Sequence, residues 1–226
     1  MIPIRDTIPA RRTAWVVRLL VAVNVAVFLV ELWQHDRLDA WLYHVGVVPA
    51  AWVFTGPEDF LRGPWLLVTL VTSQFLHGSA LHLGLNMLYL WIFGDNVEDR
   101  LGHGRFAVLY VGSGAAAALI QLLIQPNATA PMIGASGAIA GVLGAYFLLF
   151  PFARITTLIP LIVAWPCVEL PAFVFLGVWF GMQWLQGMTA LGEVATVGGI
   201  AWWAHIGGFA TGLVLLAGLR VRQRHW

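Results

Sequence analysis

Two long stretches without a charged side chain constrain this sequence more than any other feature. No Asp, Glu, Lys or Arg occurs between Gly63 and Gly94, or along the 48 residues from Phe106 to Ala153. Only 10% of all residues are charged and 60% are hydrophobic, whereas soluble domains carry about 25% charged residues. Uncharged runs of this length are typical of helices in a lipid bilayer, so a soluble globular fold is excluded.

Helix length divides these stretches into membrane spans, because about 20 apolar residues cross a hydrocarbon core about 30 Å thick. Pro126 and Asn127 divide the longer stretch into two helices. Only the second half of the shorter stretch should cross, with residues 64–75 lying in or dipping into the outer interface. The sequence therefore predicts one all-α membrane domain over residues 1–226, a six-transmembrane-helix bundle with a partly embedded first loop. The predicted spans are residues 15–33, 79–94, 106–125, 135–150, 168–187 and 199–219.

The arginines predict the orientation of this bundle. Ten of the twelve basic residues, all arginines, fall on one side of the membrane, and loops rich in arginine are typically cytoplasmic. Both termini are therefore expected to be cytoplasmic, and the arginine-only composition indicates a bacterial inner membrane. A net charge of +1 without a basic block argues against nucleic acid as a partner. The ten residues are Arg5, Arg11, Arg12, Arg18, Arg100, Arg105, Arg154, Arg220, Arg222 and Arg224.

Two polar residues inside the predicted spans lie at the same depth. Ser136 follows Gly134 at the start of the fourth span, where free backbone amides and the helix dipole favour a developing negative charge. His205 lies near the outer end of the sixth span. Each is 15 residues from the arginine-rich end of its span, which is about 22 Å at 1.5 Å per residue. A serine and a base candidate at one depth can meet.

Glycines predict that the two helices approach closely. Gly137 and Gly141 follow the serine, and Gly208 and Gly212 follow the histidine, so each helix carries a GxxxG face. Such faces let helix backbones come together, which would bring a serine hydroxyl within hydrogen-bond reach of an imidazole.

A second polar pair lies in the second span. His82 and Asn86 are four residues apart, so their side chains share one helix face about one turn apart. His82 is expected at about the depth of the serine, and reaction with water there requires a hydrated cavity that opens to the outer side. Further along the chain, Glu98 and Arg100 are predicted to form a supporting network in a cytoplasmic loop.

Each of these features also has a purely structural explanation. A serine among glycines in a membrane helix usually serves packing, and His82 with Asn86 could simply join helices by hydrogen bonds. His205 follows two tryptophans and could extend toward the interface. Packing accounts poorly for all three features at one depth. No HExxH motif or comparable ligand spacing is present, so neither a metal nor another cofactor is predicted.

The same residues resemble the rhomboid family of intramembrane serine proteases over roughly residues 72–213. The resemblance implies a six-helix core with Ser136 as nucleophile and His205 as its base. It implies an oxyanion site formed by His82, Asn86 and the backbone amide of Ser136. It also implies single-span or multi-span membrane proteins as substrates in the lipid bilayer. The matching segments are FLHGS at 75–79 with His82 and Asn86, GDNVEDRLG at 94–102, GASGA at 134–138, and AHIGG at 204–208 with Gly212.

This chain departs from the family pattern beside the histidine. Some members carry a tyrosine four residues after the serine, where this chain has Ala140, so another group must orient His205; an aromatic side chain from another span is one candidate. No acid is positioned as a third member, which predicts a Ser/His dyad rather than a triad. A non-proteolytic relative that binds or escorts transmembrane helices stays an alternative. A small transporter is disfavoured, because paired intramembrane charges and repeated halves are not evident.

Overall fold

The computed structural model describes residues 1–34, 37–53, 63–161, 164–191 and 200–219. These residues form eight α-helices and one three-stranded sheet, and the predicted all-α membrane bundle is confirmed. The helices are α1 (Trp15–Trp33), α2 (Leu38–Val45), α3 (Gly63–Thr72), α4 (Ala80–Leu101), α5 (His103–Ile124), α6 (Ser136–Leu149), α7 (Ala172–Thr189) and α8 (Trp202–Gly218). The strands are β1 (Ile2–Asp6), β2 (Arg154–Leu158) and β3 (Cys167–Pro171).

The apolar helices differ in length. Among the described residues, α1 and α5 are each long and apolar enough to cross a membrane, and α6 and α8 are shorter apolar helices. The 14 residues of α6 extend over about 21 Å at 1.5 Å per residue. The segment Gly63–Phe75 meets α4 at an angle of 85°. This bend separates the segment that is predicted to lie in the interface from the one that is predicted to cross.

The centre of the bundle is α6. Every residue from Gly137 to Tyr146 is buried, as expected for a helix that is apolar on all sides. α4, α5 and α8 pack around it, and α1 packs on the outside of α4. α1 buries a single stripe of residues three or four positions apart, which is the spacing of one helix face. The stripe consists of Val17, Leu20, Asn24, Phe28 and Glu31.

A small antiparallel sheet ties the beginning of the chain to the bundle. β2 and β3 form a hairpin between α6 and α7, and β1 pairs with the other edge of β2. At the end of β1, Oδ2 of Asp6 accepts a hydrogen bond of 2.8 Å from Nδ2 of Asn96 in α4. The same oxygen accepts a hydrogen bond from the hydroxyl of Tyr146 in α6. The sequence analysis does not predict this sheet.

The helix bounds differ from the predicted spans by four or more residues in two places. The fifth span is predicted to begin at residue 168, but residues 167–171 pair with β2, and the helix begins only after Pro171. The second span is predicted to end at residue 94, but α4 continues to Leu101 and ends at Gly102, whose φ is 82°. The predicted start of the sixth span at residue 199 lies outside the described residues, as do Arg62, Arg220, Arg222 and Arg224.

Glu98 and Arg100 therefore lie at the end of a helix and not in a loop. The carboxylate of Glu98 is 1% exposed and accepts hydrogen bonds from the backbone amides of Val16 at 2.9 Å and Val17 at 2.8 Å. These amides begin α1 and lack acceptors inside their own helix, so a buried carboxylate beside them stabilises both partners. The Cζ atom of Arg100 lies 5.6 Å from the centre of the Phe150 ring. The predicted loop network is instead a junction of helix ends.

Candidate active site

Ser136 and His205 lie side by side, although 69 positions separate them in the sequence. The distance from Oγ of Ser136 to Nε2 of His205 is 2.8 Å. Ser136 is the first residue of α6, and His205 lies in the first turn of α8. The start of each helix thus contributes one member of the pair.

The predicted glycines allow α6 and α8 to touch along their backbones. A Cβ atom added at Gly208 would overlap the carbonyl oxygen of Gly137, and one added at Gly212 would overlap the carbonyl oxygen of Gly141. A Cβ at Gly137 would lie 2.8 Å from Cβ of Ala117 in α5. Because no side chain separates the helices, the serine and the histidine reach each other directly.

Gly134 shapes the loop that leads into α6. Its φ of 122° lies in a region that L residues rarely adopt, and its amide donates a hydrogen bond of 2.9 Å to the carbonyl oxygen of Ser73. A Cβ added here would lie 2.9 Å from Nε2 of His82 and 3.7 Å from Nδ2 of Asn86. Both predicted oxyanion donors therefore point at the loop immediately before Ser136.

Contacts from α1 and from the segment just before α4 hold these donors. Nδ2 of Asn86 lies 3.0 Å from Nε2 of His77, and the rings of His77 and His82 meet edge to face at 5.1 Å. The backbone amide of His77 donates a hydrogen bond of 3.0 Å to Oε1 of the buried Glu31 in α1. The backbone amide of Ser136 opens a helix and so has no acceptor within it. The sequence analysis assigns no role to His77 or Glu31.

The imidazole of His205 also contacts α7 and the first residue of its own helix. Its Nδ1 lies 2.6 Å from Oε1 of Gln183 in α7. The ring of Trp179, one turn earlier in α7, lies 6.1 Å from the imidazole at an interplanar angle of 32°. Trp202 approaches edge-on at 6.2 Å. Trp179 is thus an aromatic side chain from another span beside His205, the kind of orienting group that the sequence offers as one candidate. Gln183 is not predicted from the sequence.

A cavity of about 840 Å³ connects these groups. It extends past α2 and the loop at residues 128–133, and its wall includes Gln121 of α5. Oε1 of Gln121 accepts a hydrogen bond of 3.0 Å from the amide of Ala204, which fixes the start of α8. Within the described ranges, no group of three His, Cys, Asp or Glu side chains is placed to hold a metal ion. The predicted residues in the wall are Ser136, His205, His82 and Asn86.

A comparison with sequence profiles of protein families identifies the family of this chain. A sequence profile described as "Rhomboid domain" matches residues 64–222, well over half of the sequence. This chain belongs to the rhomboid family. The predicted family membership is thereby confirmed, and the matched range contains both members of the Ser136–His205 pair.

Individual relatives of this rhomboid extend the comparison. "Rhomboid protein 1, mitochondrial" of Saccharomyces cerevisiae is 32% identical over 201 residues, which are 86% of this chain and 50% of the yeast protein. "Rhomboid protease GluP" of Bacillus subtilis is 39% identical over 84 residues, 37% of this chain and 16% of the relative. "Presenilin-associated rhomboid-like protein, mitochondrial" of Bos taurus is 26% identical over 203 residues, 86% of this chain and 46% of the relative. The chain spans about half the length of the yeast and bovine proteins.

The predicted location in a bacterial inner membrane with cytoplasmic termini is wrong. The yeast and bovine relatives, which match over most of this rhomboid, are both named as mitochondrial proteins. They point to a mitochondrial rather than a bacterial membrane. The arginine-only composition misled because the use of arginine in place of lysine contains no information about the organelle, and the distribution of arginines reports only which loops share a side of a bilayer.

Proposed function

We propose that this rhomboid is an intramembrane serine endopeptidase that uses a Ser136–His205 dyad. The observation that carries the proposal is the distance of 2.8 Å between Oγ of Ser136 and Nε2 of His205, at the wall of a cavity within a membrane bundle. A hydroxyl within hydrogen-bond reach of an imidazole is the arrangement that activates a serine for nucleophilic attack. That one relative is named as a rhomboid protease supports the same reaction class.

The first half of the reaction is acylation. Nε2 of His205 accepts the proton of the Ser136 hydroxyl while Oγ attacks the carbonyl carbon of a substrate peptide bond. A tetrahedral intermediate with a negatively charged oxygen results. The protonated imidazole then donates its proton to the leaving amine as the carbon–nitrogen bond breaks, and an acyl-enzyme remains.

The negative oxygen of the intermediate requires N–H donors. The candidates are the amide of Ser136 and the side chains of His82 and Asn86, both of which point at the loop before the serine. The amide also lies at the start of α6, where the helix dipole favours negative charge. Donors fixed before the reaction stabilise the transition state without having to reorganise during it.

Hydrolysis of the acyl-enzyme requires water within the bundle. In this second half of the reaction, His205 removes a proton from a water molecule that attacks the ester carbonyl. The imidazolium then donates that proton to Oγ of Ser136 as the carbon–oxygen bond breaks, which releases the carboxylic acid product and regenerates Ser136. The cavity of about 840 Å³ beside the dyad is large enough to hold water together with a substrate segment. Polar groups in its wall, including Gln121 and Asn86, can hydrogen-bond to that water.

The proposed substrates are single-span or multi-span proteins of a mitochondrial membrane. An intact transmembrane helix hides its carbonyls in its own hydrogen bonds, so the dyad requires a segment that unwinds readily. Substrates with glycine or proline near the outer boundary should be cleaved preferentially, because these residues weaken a helix by about 1–3 kcal/mol each relative to alanine.

Cleavage of a single-span reporter by detergent-purified protein tests the proposal. We expect the parent chain to cleave it, and Ser136→Ala and His205→Ala to be inactive. Thr13→Ala, which removes an exposed hydroxyl outside the cavity, is the matched control and should cleave like the parent. A fluorophosphonate probe should label the parent and the control but neither dyad variant. Reporter cleavage by Ser136→Ala would refute the assignment of the nucleophile.

A further inference from the structure

We infer that Gln183 of α7 is the positioning residue of His205, so that the Ser136–His205 dyad is oriented by a neutral amide. The inference rests on the proposed proteolytic function and specifies how its base is held. It follows from a buried side-chain contact, from the register of α7 against α8 and from hydrogen-bonding rules. The contact itself is the distance of 2.6 Å between Nδ1 of His205 and Oε1 of Gln183, which is 7% exposed.

One stripe of α7 fixes this contact. Trp179, Gln183 and Gly187 are successive positions four residues apart, so they share the helix face that meets α8. The carbonyl oxygen of Gly187 accepts a hydrogen bond of 3.1 Å from Nε1 of Trp203. Trp179 faces the ring of His205 at the other end of the stripe. The glutamine between them is therefore held at the height of the imidazole by contacts on both sides.

The chemistry of the amide determines which nitrogen of His205 carries the proton. The oxygen Oε1 of Gln183 can only accept a hydrogen bond, so Nδ1 must be the donor. A neutral imidazole has one N–H, so Nε2 is left with its lone pair facing the hydroxyl of Ser136. This is the tautomer in which Nε2 can act as a base. Trp179 and Trp202 restrict the plane of the ring, but a ring face does not select between the two nitrogens.

A neutral acceptor suits this position better than a carboxylate. A buried carboxylate at membrane depth costs free energy in the resting state unless a cation pairs with it. The amide oxygen of Gln183 needs no such partner, and its dipole still points its negative end at the imidazolium that forms during acylation. Within the described part of the chain, the ring of His205 hydrogen-bonds only to Gln183 and Ser136.

Three variants test the role in the reporter assay. Gln183→Met keeps an unbranched side chain of similar length but removes the strong acceptor, and we expect kcat to fall about 10- to 100-fold while KM stays within about twofold. Gln183→Glu keeps an acceptor oxygen but introduces a buried carboxyl group, so it should recover only part of the lost kcat. Gln186→Met makes the same exchange at an exposed position of α7 outside the cavity wall and should behave like the parent.

A tautomer measurement separates this inference from the proposed function. With ¹⁵N-labelled histidine in micelles at neutral pH, the His205 signals, assigned by their loss in His205→Gln, should show a protonated Nδ1 in the parent. In Gln183→Met this preference should disappear. A parent chain that cleaves nothing would refute the proposed function, while the spectrum would still test Gln183. Unchanged kcat in Gln183→Met, or persistence of the Nδ1–H form in that variant, would overturn the inference.

Discussion

The side chain of Asn86 contacts His77 and is also a proposed donor to the oxyanion. Its amide nitrogen Nδ2 lies 3.0 Å from Nε2 of His77, and the same nitrogen lies near the loop before Ser136. The amide has two N–H groups, so one can bond to His77 while the other stays available to an oxyanion. His77 in turn is fixed through its backbone by Glu31. The orientation of the donor is therefore set before a substrate arrives.

Replacing Asn86 should slow the reaction more than it weakens binding. We expect Asn86→Ala to lower kcat about 100- to 1,000-fold with little change in KM, because an oxyanion donor acts mainly in the transition state. Kinetics on the single-span reporter measure both constants. Asn127→Ala removes an exposed amide outside the cavity wall and serves as control. A variant whose KM rises while kcat is unchanged would show that Asn86 binds substrate rather than the oxyanion.

Site residues can be predicted from the sequence where helix rise or helix spacing places them, and they are missed where no such local pattern exists. Ser136 and His205 share a depth that helix rise alone predicts, and the spacing of His82 and Asn86 places them on one helix face. Gln183 belongs to no motif. Its one signal is a glutamine inside an apolar helix, where polar groups are expensive. A glutamine in such a helix predicts a polar contact but not the partner residue. The partner depends on how α7 is rotated against α8.

The close contact between α6 and α8 depends on glycines, which have no side chain to keep the two backbones apart. The backbones touch at Gly137 with Gly208 and at Gly141 with Gly212. Van der Waals contact rather than the hydrophobic effect holds membrane helices together. Because the glycines have no side chains, the two backbones can approach closely and make that contact. The spacing of Ser136 and His205 depends on that packing.

Adding one methyl group between these helices should separate the dyad. We expect Gly212→Ala to destabilise the protein by about 1–3 kcal/mol, because its Cβ would overlap the carbonyl oxygen of Gly141. Activity should fall together with the thermal midpoint in detergent. Gly218→Ala, at the end of the same helix, meets no atom within 4 Å and should retain both. Equal behaviour of the two variants would contradict the proposed packing role.

Among the helices and strands, some can be predicted from the sequence and others cannot. The long apolar helices follow from composition and length, and α6 begins within one residue of its predicted start. The sheet does not, because β1 pairs with a strand about 150 positions further along the chain, and five-residue strands carry little periodic signal. The extension of α4 past residue 94 depends on the contact of Glu98 with α1, which the local sequence does not contain.

Across the whole molecule, Asp6 links the sheet to two central helices. Burial raises the pKa of its carboxyl above the ordinary value of 3.8, while hydrogen bonds from Tyr146 and from the amide of Ile8 lower it by less. Asp95 of α4 is a neighbouring carboxylate whose charge interacts with that of Asp6. A raised pKa means that the folded state binds this proton more tightly than the unfolded state does.

The pH dependence of stability follows from that sign. The contribution of Asp6 is fully present below the ordinary pKa and is lost as the pH rises through the raised one. Asp6→Asn removes this dependence, so the Tm of the variant relative to the parent should rise as the pH is increased from about 4 to about 7. Glu169→Gln, an exposed change in β3, is the control. A Tm difference that is constant with pH would show that Asp6 does not titrate between those values.

The carboxylate of Glu98 also has a consequence for biogenesis. It accepts hydrogen bonds from Val16 and Val17, 82 and 81 positions earlier, and α1 has no side-chain cap of its own. A nascent chain that has inserted only its first helix cannot yet make these bonds. These two amides therefore receive their acceptors only when α4 reaches the bundle, so the hydrogen bonds at the start of α1 are completed by a helix that is made later.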